Sequence, residues 1–142
     1  MRVKETNCEA LLTLSNLHLV GNINAKTLLS YCGSAEAVLS EKKSALIKIP
    51  GVNETIAKSI IHRKSSTLAL EELAFIEKHS IRMLPYFDTS YPKRLKQIAD
   101  SPLYLFVKGS LDLNSQRFVA MIGTRKNTNY GTQMTEQLVE GL

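Results

Sequence analysis

The stretch Arg117–Gly131, RFVAMIGTRKNTNYG, contributes most to the interpretation of this chain. The apolar run Phe118–Ile122 predicts a strand that ends at Gly123, and a polar loop and the start of a helix follow it. In α/β proteins, phosphate groups bind where a strand turns into a helix, because the helix N-terminal amides and the helix dipole attract anions. The loop carries two cations, Arg125 and Lys126, and no acidic residue. The sequence therefore predicts a site for a nucleic-acid phosphate backbone or a nucleotide.

Each polar residue of this loop has a possible role in holding an anion. Arg125 can bind a phosphate through two N–H groups at once, unless it forms a surface salt bridge instead. Thr128 and Asn127 can donate to phosphate or cap the helix, and Tyr130 either stacks on a base, which contributes ~1–3 kcal/mol, or packs under the loop. The residues predicted for this site are Gly123, Thr124, Arg125, Lys126, Asn127, Thr128, Tyr130 and Gly131.

The bulk properties describe a globular protein with a mild preference for anionic partners. The 142 residues are 44% hydrophobic and 22% charged, and the formal net charge is +5. Cys8 and Cys32 make neither a CxxC motif nor a disulfide framework, which suits a reducing cytosol. We see no secretory signal and no apolar run of membrane-spanning length, so we expect a cytoplasmic protein without a membrane partner.

The pattern of apolar residues divides the chain near residue 80 into a helical part, 1–80, and an α/β part, 81–142. Thr6 and Glu9 form a capping box for the first helix, Gly33 stops the second helix, and Ser34 caps the third. We expect helices over about 7–16, 25–31, 35–39, 43–48, 54–63, 68–79, 92–99 and 132–142, and strands over about 81–84, 103–107 and 118–122.

The helical part contains a faint internal repeat. His18–Leu29, HLVGNINAKTLL, aligns without gaps with Pro50–Ile61, PGVNETIAKSII, at an offset of 32 residues. The repeat resembles a tandem helix-hairpin-helix module. In that family the hairpin amides contact a DNA phosphate without reading the base sequence.

The resemblance implies that Gly51, Val52 and Asn53 form one such hairpin, with Asn53 able to take a positive φ in place of a glycine and Lys58 nearby. In the first copy, Leu19 replaces the glycine that lets the backbone approach phosphate, so that hairpin is a poorer site. The alternative is a helical bundle whose two hairpins only pack.

Three motifs from Asp88 onward resemble the DNA-processing protein family called DprA or Smf. The first motif is Asp88, Tyr91-Pro92, Leu95 and Ile98; the second is Pro102, Leu105, Phe106, Lys108 and Gly109; the third is Gly123-Thr124-Arg125 followed by Tyr130-Gly131. The resemblance is close over residues 85–131 and loose over the whole chain.

The family resemblance implies a single-stranded DNA-binding protein that protects DNA taken up in natural transformation and assists loading of the RecA recombinase. It also implies a mixed α+β and α/β fold, in which a helix-hairpin-helix-like or sterile-alpha-motif-like domain, 1–80, precedes the start of a Rossmann-like parallel sheet, 81–142. Such proteins are usually dimeric, and we expect no enzymatic activity and no cofactor. By position, Gly123, Thr124 and Arg125 should contact phosphate. The family's later motifs do not occur, so we expect an N-terminal fragment of a longer protein.

Two other functions remain open from the residues. A Rossmann-like enzyme could hold one phosphate of a nucleotide at Gly123–Gly131, although no Walker A sequence occurs there. A helical protein-interaction module would bind neither DNA nor nucleotide. The three histidines are scattered, and no catalytic set of side chains is visible.

Overall fold

The computed structural model of the chain describes residues 8–63, 67–110, 112–115 and 118–141. Within these ranges the fold is helix-rich with one small sheet, so the predicted mixed α and β class is confirmed. Thr6, and with it the predicted capping box, lies outside the described residues. The helices are α1 (Cys8–Ser15), α2 (Asn22–Cys32), α3 (Ala35–Ser40), α4 (Lys43–Leu46), α5 (Glu54–Ile61), α6 (Thr67–Lys78), α7 (Lys93–Lys96) and α8 (Asn129–Glu140), and the strands are β1 (Arg82–Pro85) and β2 (Tyr104–Val107).

Local sequence signals set the junction between α2 and α3 as predicted. Gly33 ends α2 with a φ of 85°, in the left-handed region that favours glycine, and its N–H donates to the Leu29 carbonyl at 2.8 Å. Ser34 caps α3, because its Oγ accepts a hydrogen bond from the Ala37 amide at 3.1 Å. The start of α2 at Asn22 lies about one turn earlier than predicted.

The 32-residue repeat is present in the backbone as two copies of one helix–turn–helix unit. Turn and helix-start hydrogen bonds recur at the same offset, and so do the buried positions. The equivalent bonds, N–H donor first, are Val20 to Leu17 and Val52 to Ile49, then Ala25 to Gly21 and Ala57 to Asn53. The equivalent buried residues are Leu14 and Leu46, Val20 and Val52, Ala25 and Ala57, and Leu28 and Ile60. The apolar faces of both copies lie in one core.

That core also includes part of the sheet. Leu103, which is 2% exposed, belongs to the same buried cluster as Leu11 and Leu28 of the helices, and Met83 and Tyr104 pack against this cluster. Burial raises the pKa of the Tyr104 hydroxyl above its ordinary value. The helices and the two strands therefore share apolar packing, and the division into two domains at residue 80 stays a prediction.

The N-terminal part of α2 is fastened to the segment 99–103 by side chains, and we call these contacts the joint. Asn22 donates through Nδ2 to a backbone carbonyl of this segment at 3.1 Å, and its Oδ1 accepts from a backbone amide at 3.3 Å. Lys26 donates to a backbone carbonyl at 3.0 Å and to the Ser101 hydroxyl at 2.6 Å, and its Nζ lies 4.4 Å from the centre of the Tyr86 ring. The backbone partners are Asp100 and Leu103 for Asn22, and Ala99 for Lys26.

The sheet of the described residues is antiparallel, where the start of a parallel sheet was expected. β1 and β2 pair from Arg82 opposite Val107 to Pro85 opposite Tyr104. The predicted strand Phe118–Ile122 is wrong for this structure, because these residues form no strand and no described residue pairs with their backbone. A strand needs a neighbour for its amides and carbonyls, and an apolar run alone does not supply one.

Candidate nucleic-acid interface

The N-terminus of α8 has the geometry of an anion site. Thr128 caps the helix, and its Oγ1 accepts a hydrogen bond from the Gly131 amide at 3.1 Å, so the capping role predicted for Thr128 is confirmed. No acceptor among the described residues bonds to the backbone amides of Asn129 and Tyr130. These two amides lie at the positive end of a 12-residue helix, where an anion is stabilised.

The cations of the loop are exposed and close to this helix start in the chain. Among the described residues no carboxylate lies within ion-pair distance of Arg125 or Lys126, so the surface salt bridge weighed for Arg125 does not form. The Thr124 hydroxyl donates to the carbonyl of Lys126 at 2.8 Å and holds the loop in a turn. Asn127 donates through Nδ2 to the hydroxyl of Thr132 at 2.8 Å.

The Tyr130 ring is exposed and does not pack under the loop, since 70% of its surface is accessible. An accessible ring can stack on nucleic-acid bases, and Tyr130 follows Lys126 by four residues in the chain. Every described residue from Phe118 to Tyr130 is exposed, and Ile122 is 97% accessible. The structure therefore brings Gly123, the two cations, the cap and Tyr130 onto one accessible segment.

The second hairpin has the predicted turn but a different role for Asn53. Gly51 takes a φ of 80°, as a hairpin glycine would. Asn53 has a φ of −88° rather than the positive φ expected, because its Oδ1 caps α5 by accepting from the Ile56 amide at 2.8 Å. Lys58 is paired with Glu54 at 3.7 Å.

Glu54 is the first residue of α5, at the end of the helix where a phosphate would bind. Its carboxylate also meets Lys43 at 3.3 Å. Hydrogen bonding and charge from Lys43, with charge from Lys58, hold the pKa of the Glu54 carboxyl below its ordinary value. A resident carboxylate between two lysines competes with any external anion, so the geometry favours the α8 loop over this hairpin.

The helix that follows the first hairpin forms the joint with the segment 99–103. Gly21 caps α2 with an extended conformation, and Leu19 does not adopt a positive φ. Sequence reasoning missed Asn22 and Lys26, because their partners stand about 75 residues away in the chain and no local signal connects them.

Residues of the first two family motifs form hydrogen bonds that stabilise the fold. The Asp88 carboxylate accepts from the Ser90 amide at 2.7 Å and forms a turn. Tyr91 is fully buried, and its hydroxyl donates to the Pro102 carbonyl at 2.7 Å, which ties the first motif to the second. Pro92 precedes α7, which is shorter than predicted.

Three other features of the described part of the chain are its possible metal ligands, its cysteines and the length of its helices. Nowhere in these ranges do three His, Cys, Asp or Glu side chains gather in a way that could hold a metal ion. Cys8 and Cys32 are free thiols. None of the described helices combines the length and apolar character needed to cross a membrane.

Comparison with known proteins identifies the class of the C-terminal part. Residues 82–142 match the family described as DNA recombination-mediator protein A. This part of the chain is similar to the DprA/Smf family, and the resemblance inferred from the three motifs is confirmed. No solved structure gives a significant match.

The similar curated proteins carry the same family names. The chain is 38% identical to the DNA processing protein DprA of Bacillus subtilis (strain 168) over 69 residues, which are 48% of this chain and 23% of that protein. It is 40% identical to DprA of Streptococcus pneumoniae (strain ATCC BAA-255 / R6) over 55 residues, 39% of this chain and 20% of the relative. Protein Smf of Synechocystis sp. (strain ATCC 27184 / PCC 6803 / Kazusa) is 25% identical over 138 residues, 92% of this chain and 34% of the relative. The chain thus spans about a fifth to a third of the length of these relatives.

Proposed function

We propose that this chain takes part in DNA processing and that its loop 123–131 binds the phosphate backbone of single-stranded DNA. One observation carries the proposal: the first amides of α8 and two exposed cations occur together in this loop. The two amides at the start of α8 bond to no acceptor among the described residues, and the two cations have no carboxylate beside them in the same ranges. This loop lies within the segment that matches the recombination-mediator family.

Both backbone amides and side chains make the proposed contacts with DNA. The amides of Asn129 and Tyr130 receive one phosphate at the helix N-terminus. Arg125 grips a phosphate through two parallel N–H groups, and Lys126 adds a point charge. Tyr130 stacks on a base, which tolerates any base sequence because each base has a π face.

The similarity to the DprA/Smf family extends the proposal to the wider process. We propose that the longer relatives' role in DNA processing applies here, with protection of DNA taken up in transformation and assistance to RecA as its purpose. On this proposal the chain acts by binding rather than by catalysis, pairs as a homodimer, and contributes residues 81–142 to a Rossmann-like domain. The hairpin residues Gly51, Asn53 and Lys58 are a secondary contact at most, since Glu54 already occupies that helix end.

The test is the salt dependence of DNA binding by the 142-residue chain. The affinity for a fluorescent oligothymidylate is measured by anisotropy over a range of salt concentrations, for the parent chain, Arg125→Ala and the control Lys78→Gln. Arg125→Ala should weaken binding about tenfold, equivalent to about 1.4 kcal/mol, and reduce the logarithmic salt slope by about 0.7. Lys78, an exposed cation near the end of α6, should leave both quantities unchanged.

Three results would overturn the proposal. An Arg125→Ala chain with unchanged affinity and slope removes Arg125 from the site. Competition by a mononucleotide as effective as competition by the oligonucleotide indicates a nucleotide site instead, and the absence of any salt-sensitive binding leaves an interaction module.

A further inference from the structure

A second cationic surface contacts Phe118, which stands five residues before Gly123 in the chain. Three of the four residues of α7 are cations. Lys96 turns toward the protein, because its Nζ donates to the Asp88 carbonyl at 3.1 Å and lies 5.5 Å from the centre of the Tyr86 ring. Lys93 and Arg94 are exposed.

Arg94 connects α7 to the segment that leads into the loop. Its guanidinium carbon lies 5.4 Å from the centre of the Phe118 ring, and Phe118 is 51% exposed. A planar cation over an accessible aromatic ring offers both charge and a stacking surface. α7 is held in place from the other side, since the Asn114 side chain accepts from the Lys93 amide at 2.8 Å and donates to the Ser90 carbonyl at 3.2 Å.

The charge of this region fits a polyanion. The sequence contains no acidic residue between Asp88 and Asp100, and none between Asp112 and Glu136. A partner that carries both cations and anions would find no acidic residues in these two stretches to pair with its cations. An anionic chain with flat bases would meet cations and exposed rings along its length.

We propose that Lys93, Arg94 and Phe118 form a second contact for the same DNA strand that the loop 123–131 binds. This inference rests on the proposed function of the loop. Phe118 stands seven residues before Arg125, so the chain between them reaches at most about 25 Å at roughly 3.5 Å per residue. At about 3.4 Å per stacked nucleotide, that reach corresponds to about seven nucleotides. A strand of about 15 nucleotides is therefore long enough to engage both contacts at once, and on this proposal a strand of about four binds mainly at the loop.

The test compares these two lengths of oligothymidylate on the 142-residue chain. Lys93→Gln with Arg94→Gln should lower the affinity for the long strand about tenfold and its salt slope by about 1.4, and change the affinity for the short strand less than about twofold. Phe118→Leu, which keeps an apolar side chain and removes the ring, should weaken binding of the long strand about threefold. Arg125→Gln should weaken both lengths, and Lys78→Gln should weaken neither. Unfolding midpoints of the variants, compared with the parent, identify any loss of affinity that comes from loss of folding.

The outcomes separate this inference from the function of the loop. If Arg125→Gln weakens binding but the Lys93 and Arg94 double variant binds the long strand like the parent, the second contact is overturned and the loop site stands. If Arg125→Gln has no effect on either length, the loop site fails. If an oligoglutamate peptide of equal charge displaces the long strand as well as unlabelled DNA does, the surface accepts acidic peptides and the inference is overturned.

Discussion

The buried hydroxyl of Tyr91 gives the sharpest test of how the first two family motifs hold the fold. Tyr91→Phe removes the hydrogen bond to the Pro102 carbonyl at 2.7 Å and leaves the ring in place, where it packs edge-on to Tyr86 at 5.5 Å. An intramolecular hydrogen bond contributes about 1 kcal/mol net, and an unsatisfied buried partner raises the loss to about 2–3 kcal/mol. This hydrogen bond is partly buried, so the expected loss is at least about 1 kcal/mol.

The assay is urea unfolding followed by circular dichroism, with the free energy of unfolding obtained by linear extrapolation. The matched control is Tyr31→Phe, because Tyr31 is 62% exposed and the described residues offer its hydroxyl no hydrogen bond; its loss should stay below about 0.3 kcal/mol. For a chain of this size, the Tyr91 variant should also melt roughly 3–5 °C lower. Equal stability of the Tyr91→Phe chain and its parent, or equal losses for both tyrosine variants, would refute the reasoning.

Three further predictions concern the helical repeat and the packing of the sheet. Lys26→Met should lower the free energy of unfolding by about 1–2 kcal/mol in the same urea assay, because it removes the hydrogen bonds of Lys26 in the joint. Lys58→Met at the equivalent position should lower it by less than about 0.5 kcal/mol, because among the described residues Lys58 makes an exposed ion pair. Gly51→Ala should cost about 1–2 kcal/mol because its φ is 80°, and Gly21→Ala, at a φ of −74°, should cost less; equal losses would contradict the conformational argument. The raised pKa of Tyr104 means that the folded state holds this proton more tightly, so the stability is present below about pH 10 and falls as pH rises through the folded pKa. Unfolding free energies at about pH 9 and 11 should therefore fall less steeply in Tyr104→Phe than in the parent, and identical slopes would exclude this tyrosine as a cause.

Local signals predicted most of the helices, because the residues that start and stop a helix act over one turn. Gly33 and Ser34 show this for α2 and α3, where the stop and the cap occur as expected. The cap at Thr128 follows the same rule. The repeat was also visible, since its inward positions keep apolar residues at a fixed offset.

Features that depend on distant partners were not predictable. The run Phe118–Ile122 has the composition of a strand, but pairing is a property of two segments, and the described chain supplies no second one. Asn53 is a different case, because two local roles compete there: it could have taken a positive φ, but it caps α5 by accepting from the Ile56 amide. For the candidate site, the sequence indicated the cations of the loop but not the contact of Arg94 with Phe118, which joins segments that lie far apart in the sequence.

The doubled helix–turn–helix unit has a consequence for tolerance to mutation. The two copies share turn hydrogen bonds and buried positions, but among the described residues only the first copy, through Asn22 and Lys26, is tied to the segment 99–103. Charge-changing substitutions at Glu54 and Lys58, in the second copy, would leave the contacts of Asn22 and Lys26 with the segment 99–103 intact. We therefore expect sequence variation among close homologues to accumulate first in the second copy.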